Sequence, residues 1–128
     1  MLKGIRILVA EDDRLNQKVM AFILQKQGAE VKMAANGHEA IELLSGNNFD
    51  IILMDLQMPG MNGYETAKYI RTNLRQEIPI IALTADLVAN VTAEYKEAGM
   101  NACISKPVQA NELCKLILNL APQFALEK

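Results

Sequence analysis

Four short apolar runs in this chain each end on a polar side chain, and few folds accommodate that pattern. Ile5–Ala10 leads into Glu11 and Asp12, Ile51–Met54 into Asp55, and Ile80–Leu83 into Thr84. The less apolar Ala102–Ser105 leads into Lys106. Short runs that stay apolar at consecutive positions are expected of strands whose sheet is covered on both faces, as parallel sheets are. Parallel strands bring their C-terminal ends to one edge, where ligands bind. The pattern therefore proposes one site with three carboxylates, a hydroxyl and an ammonium group. That inventory suits a divalent cation and a phosphoryl group.

A fifth strand candidate, Glu30–Ala34, alternates polar and apolar residues and belongs at a sheet edge. Helical periodicity fills the gaps, in Leu15, Val19, Phe22 and Ile23, then in Ala40, Leu43 and Leu44. It continues in Ala67, Ile70 and Leu74, in Val88, Val91, Tyr95 and Ala98, and in Leu113, Leu116, Ile117 and Leu120. Gly28 and Gly99 stand where helices should stop. Alternating strands and helices imply an α/β domain, (βα)5, with helices on both faces of a five-stranded parallel sheet. The expected order is 2-1-3-4-5, the flavodoxin-like arrangement, which makes the strands carrying Glu11, Asp12 and Asp55 neighbours. The whole chain, 1–128, reads as a single domain, with Ala121 to Lys128 as a frayed tail.

Composition narrows the function. The chain has 128 residues, 51% of them apolar, enough for one domain with a real core. A net charge of −2 argues against nucleic-acid binding, which needs a clustered basic face. No apolar stretch approaches the roughly 20 residues of a bilayer span. The N-terminus leads straight into a strand-like run, so no signal peptide is expected. Cys103 and Cys114 lack CxxC spacing, and free thiols fit a reducing cytoplasm. A cytoplasmic location without direct membrane contact is the expectation.

Three converging carboxylates repel one another and need a proton, water or a cation between them. Mg²⁺, or Mn²⁺, prefers such oxygen ligands. Asp12 and Asp55 suit direct ligation, Glu11 ligation through water, and the backbone carbonyl of Gln57 could complete the set. Asp13 reads instead as the cap of the helix that begins near Leu15. Asp55 has a second possible role as a carboxylate nucleophile that forms an aspartyl phosphate. Lys106 and the Thr84 hydroxyl would then meet the phosphoryl oxygens. Lys106 precedes Pro107, where a cis bond would re-aim the lysine; its other reading is a solvated loop residue. Gln57 and Asp86 flank the site, and Asp86 reads equally well as a helix cap. His38, the one histidine, reads as an exposed surface residue, and Arg71 and Arg75 as a solvated helix face.

Taken together, Ile7 to Asp13, Asp55 to Gly63, Pro79 to Ala85 and Lys106-Pro107 resemble the receiver domain of two-component response regulators, over essentially the whole chain. The resemblance implies a phosphoprotein of signal transduction in which a histidine kinase donates the phosphoryl group to Asp55. The domain would catalyse its own phosphorylation and dephosphorylation, with Mg²⁺ at Glu11, Asp12, Asp55 and the Gln57 carbonyl, and Thr84 and Lys106 reading the phosphate. Glu11-Asp12, Asn16 to Val19, Met54 to Pro59 and Gly99-Met100-Asn101 are similar to receivers of hybrid histidine kinases. That setting implies a phosphorelay to a histidine phosphotransfer domain, docking on the first helix near Asn16, Met20 and Ile23. It also implies tethering to a membrane sensor in a longer protein. A stand-alone single-domain response regulator acting by protein contact is the alternative. The sequence departs from the family at Glu11 and Asn62, each a frequent Asp. It departs also at Cys103, a switch position where Tyr or Phe is usual.

Three rival functions are weaker. A flavin carrier of this topology needs a phosphate loop after strand 1, which Glu11-Asp12-Asp13 would repel. An aspartate-nucleophile phosphatase needs a second carboxylate where Gln57 stands. A pseudo-receiver used only for docking has no need of the full acidic, threonine and lysine set.

Overall fold

The computed structural model describes residues 2–85 and 89–126. Strands and helices alternate as β1 (Arg6–Ala10), α1 (Arg14–Lys26), β2 (Glu30–Ala34), α2 (Gly37–Gly46) and β3 (Ile51–Asp55). There follow α3 (Gly63–Thr72), β4 (Ile80–Thr84), α4 (Ala89–Glu97), β5 (Ala102–Ser105) and α5 (Ala110–Leu126). The sheet is parallel throughout, in the order β2-β1-β3-β4-β5, with the alternating β2 at an edge as expected. Ala121, expected to begin a frayed tail, is buried within α5, which runs to Leu126. Asp86 and Val88 lie outside the described residues.

The side-chain period of 2 divides each strand between two cores. Leu8, Ala10, Ile52, Met54, Ile80 and Ala82 pack with Ala40 and Leu44 of α2, Ala67 and Ile70 of α3, and Ala98 just after α4. Ile7, Val9, Ile51, Leu53, Ile81 and Leu83 pack with Met20 and Leu24 of α1 and Leu113 and Ile117 of α5. Both faces are covered, which explains why β1, β3 and β4 read as continuous apolar runs.

Helix α1 corrects the periodicity reading. Leu15 and Phe22, 68% and 66% exposed, face solvent together with Val19. Met20 and Leu24, on the opposite side, are the buried residues, each worth about 1.5–3 kcal/mol. Both sides carry apolar residues at helical spacing, so periodicity cannot choose between them. Hydrogen bonds anchor the orientation. Asp13 caps the helix by accepting from the Asn16 N–H at 3.0 Å, and Gln17 Nε2 donates to the Glu11 carbonyl at 2.6 Å. Met20 is consequently core rather than partner surface.

Arg71 is a second correction. It is half-buried rather than solvated, donating to the carbonyls of Gly99 (2.9 Å) and Gln76 (2.8 Å) and to Asn101 Oδ1 (3.1 Å). Arg75 is exposed, as expected. At the N-terminal edge of the sheet, buried Asp50 accepts from the Arg6 backbone N–H at 2.8 Å and pairs with its guanidinium at 3.1 Å.

Candidate functional site

The register sets Ala10 beside Met54, Asp55 beside Leu83, and Thr84 beside Ser105. The residues that end or follow the central strands therefore share one edge. Glu11 follows β1 and is fixed there by its N–H, which donates to the Ala34 carbonyl at 3.0 Å. Asp55 closes β3, and Thr84 closes β4; all three are buried. Lys106 follows β5, its backbone N–H donating to the Thr84 carbonyl at 2.7 Å, and its bond to Pro107 is cis. Glu11, Asp12 and Asp55 each offer a carboxylate oxygen within 4.8 Å of the others, and Asp12 is the exposed member.

Lys106 Nζ joins the two buried acids, lying 2.9 Å from Glu11 Oε1 and 2.8 Å from Asp55 Oδ2. The other oxygens are held by backbone. Asp55 Oδ1 accepts from the Gln57 N–H at 3.0 Å, and Glu11 Oε2 from the Asp13 N–H at 3.2 Å. Burial and, next, the neighbouring Asp55 raise the Glu11 pKa to about 6, against the pull of Lys106 and the Asp13 N–H. Burial opposes the charge on Lys106, but Asp55 and Glu11 outweigh it and its pKa is raised. The pocket is a carboxylate cluster with a built-in cation, and its hard oxygen donors fit Mg²⁺.

A groove of about 180 Å³ opens from this pocket. Glu11 and Lys106 line it together with Leu15, Val19, Pro107 and Val108. On the other side of the sheet, Cys103 pairs in register with Ala82, and Tyr64 and Tyr95 pack on the same core. Burial raises the pKa of the Cys103 thiol. His38 is exposed at the start of α2, as expected.

The structure thus gathers Glu11, Asp12, Asp55, Thr84 and Lys106 and keeps Asp13 as a cap. Sequence reasoning missed Gln17. Its signal was its position on the side of α1 opposite Leu15, Val19 and Phe22, facing the end of β1.

Comparison with known proteins agrees with this geometry. Residues 7–118 match the family model of the response regulator receiver domain. The chain is 34% identical over 126 residues to the autoinducer 2 sensor kinase/phosphatase LuxQ of Vibrio parahaemolyticus, covering 98% of this chain and 15% of LuxQ. It is 39% identical over 102 residues to the sensor histidine kinase RcsC of Escherichia coli, covering 80% of this chain and 11% of RcsC. The chain thus spans only a small part of these relatives. Among solved structures, the receiver domain of the sensor histidine kinase PA1611 of Pseudomonas aeruginosa superimposes with a TM-score of 0.84 at 34% identity. That match covers 93% of this chain and 98% of the other, and its active-site cleft coordinates a magnesium ion. Chemotaxis protein CheY4 of Vibrio cholerae superimposes with a TM-score of 0.86 at 29% identity, over 91% of this chain and 98% of that one.

Proposed function

The chain belongs to the response regulator receiver domain family, and from that premise we propose that it accepts a phosphoryl group on Asp55 from a phosphohistidine and passes it on. The observation that carries this reading is Lys106 Nζ, bonded to both Glu11 and Asp55 beside the exposed Asp12. Such a site holds a phosphoryl group's negative charge without burying it uncompensated.

A carboxylate oxygen of Asp55 attacks phosphorus; the O–P bond forms as the N–P bond breaks. The electron pair of that bond goes to the histidine nitrogen, which takes up a proton. Lys106 and the Thr84 hydroxyl bind oxygens of the transferred group. Asp12, Asp55 and the Gln57 carbonyl would hold Mg²⁺ (or Mn²⁺), with Glu11 contributing through water. When bound, the ion supplies positive charge that lets two anions approach. The reverse step, or attack of water on phosphorus, empties Asp55.

The partner fits the exposed stripe of α1. Leu15 and Val19 line a groove that also includes Glu11 and Lys106 of the pocket, and Phe22 is exposed on the same stripe. A helix of a histidine kinase or histidine phosphotransfer domain seated there would bring its histidine to Asp55. The apolar area supplies contact that solvent-exposed residues otherwise lack.

A small acyl-phosphate donor with Mg²⁺ should add one phosphate, labile to hydroxylamine, and Asp55→Asn should abolish it. Undiminished labelling of Asp55→Asn would move the acceptor elsewhere. Labelled protein that fails to pass its phosphate to a phosphotransfer domain would favour a stand-alone regulator.

A further inference from the structure

Gly63 opens α3 at a place where only glycine fits, and the reason is packing. A Cβ built on Gly63 would lie 2.4 Å from the Asp55 carbonyl oxygen, 2.8 Å from Leu56 Cα and 3.1 Å from the Asp55 carbonyl carbon. Ordinary contact begins at 3.4 Å, and every one of these neighbours is backbone, which no rotamer change can move aside. Its φ is not in the left-handed region, unlike that of Gly60 at +77° in the same loop. The Gly63 N–H also donates to the Leu56 carbonyl at 3.2 Å, closing the loop from Asp55 to α3 into a ring. The far side of that ring is fixed twice. The Leu56 N–H donates to the Leu83 carbonyl at 3.0 Å, and Asn62 and Glu65 cap α3 reciprocally.

We propose that Gly63 is a positioning residue for the acceptor: its bare Cα lets α3 lean on the Asp55–Leu56 peptide and thereby sets where the Asp55 carboxylate and the Gln57 backbone stand relative to Lys106. A side chain at this position must push the Asp55–Leu56 peptide away from α3. Asp55 Oδ2 sits 2.8 Å from Lys106 Nζ, and Asp55 Oδ1 sits 3.0 Å from the Gln57 N–H, so both contacts move with that peptide. The inference rests on the phosphoacceptor reading but concerns a residue outside the pocket.

The test compares glycine-to-alanine variants of the whole chain. Gly63→Ala should bind Mg²⁺ about tenfold more weakly or worse, as when the support of a metal ligand is lost. At saturating Mg²⁺ its labelling should slow by up to about a hundredfold, the scale of an ångström misplacement. In metal-free protein the amide resonances of Gln57 and Lys106 should shift. Gly28→Ala is the control for a backbone insult remote from the site, because its φ is +94° and its Cβ would lie 3.3 Å from Lys3 Cα, before β2 at the opposite edge of the sheet. It should lower stability and leave Mg²⁺ affinity near wild type. If Gly63→Ala is unfolded in buffer, the same binding is measured in sucrose, which favours the folded state. Wild-type Mg²⁺ affinity and labelling in folded Gly63→Ala, or equal losses in Gly28→Ala, would overturn the assignment. Failure of the wild-type chain to label at all would instead overturn the phosphoacceptor reading.

Discussion

Lys106 Nζ and Asp55 Oδ2 stand 2.8 Å apart, although 51 residues separate them along the chain. The same ammonium reaches Glu11 Oε1, 95 residues away. The strand order makes this possible by placing β1, β3 and β4 at the centre and the end of β5 within reach across Thr84. Lys106 thus offsets part of the charge of the two buried acids, and under the proposed function it would turn to a phosphoryl oxygen on Asp55.

Replacing Lys106 by Met should leave Glu11 and Asp55 facing each other without their cation. Labelling by an acyl-phosphate donor should fall by about 10²-fold or more, the usual cost of a lost charge stabiliser. Metal-free protein should lose about 1–3 kcal/mol of stability in urea unfolding. Labelling within a few-fold of wild type would remove Lys106 from the reaction.

Asp12 and Asp13 are adjacent but should behave differently. Asp12→Ala removes a member of the carboxylate cluster and should weaken Mg²⁺ binding strongly. Asp13→Ala removes the cap that receives the Asn16 N–H, and should cost about 1 kcal/mol of stability with little change in Mg²⁺ affinity. Calorimetric titration with Mg²⁺ separates the two. Equal losses of affinity would contradict the division.

The two sides of α1 offer a cleaner separation of stability from transfer. Val19→Lys and Phe22→Lys fall on exposed positions and should change stability by no more than about 0.5 kcal/mol. Both should slow phosphotransfer with a partner domain while leaving labelling by a small donor intact. Leu24→Ala, in the core, should cost about 2–5 kcal/mol. Unimpaired transfer by the lysine variants would place the partner on another face.

Cys103 gives the fourth expectation. A thiol has too little volume to hold two packing states, so a phosphoryl mimic such as beryllofluoride should perturb the pocket more than the distant surface. NMR shifts should concentrate around Asp12, Asp55, Thr84 and Lys106. Large concerted shifts along β5 and α5 would mean that switching survives without an aromatic residue at this position, with Tyr64 and Tyr95 the neighbouring rings on the same core.

Much of this was legible before the structure, for identifiable reasons. β1, β3 and β4 announce themselves because both of their faces are covered, and their last residues then fall on one edge. Asp13 is readable as a cap because capping is local. The orientation of α1 was not legible, since two apolar stripes share one helix and the deciding bond runs from Gln17 to the end of β1. Nor was the role of Arg71, whose partners Gly99 and Asn101 lie 28 and 30 residues downstream. Gly63 entered the sequence reading only as the end of the stretch Asp55 to Gly63; its constraint is a contact with the backbone of Asp55 that no local rule encodes.

Strand β3 has a carboxylate at each end and nothing but apolar residues between: Asp50 just before it, tied to Arg6, and Asp55 at its close, tied to Lys106. A slip of one residue against β1 would turn Ile51 to Met54 to the wrong faces, and it would break both ion pairs in the same stroke. Misregistered pairings of the central strand are therefore penalised at two remote points at once. The ion pair proposed to receive a phosphate would thus also proofread the assembly of the sheet.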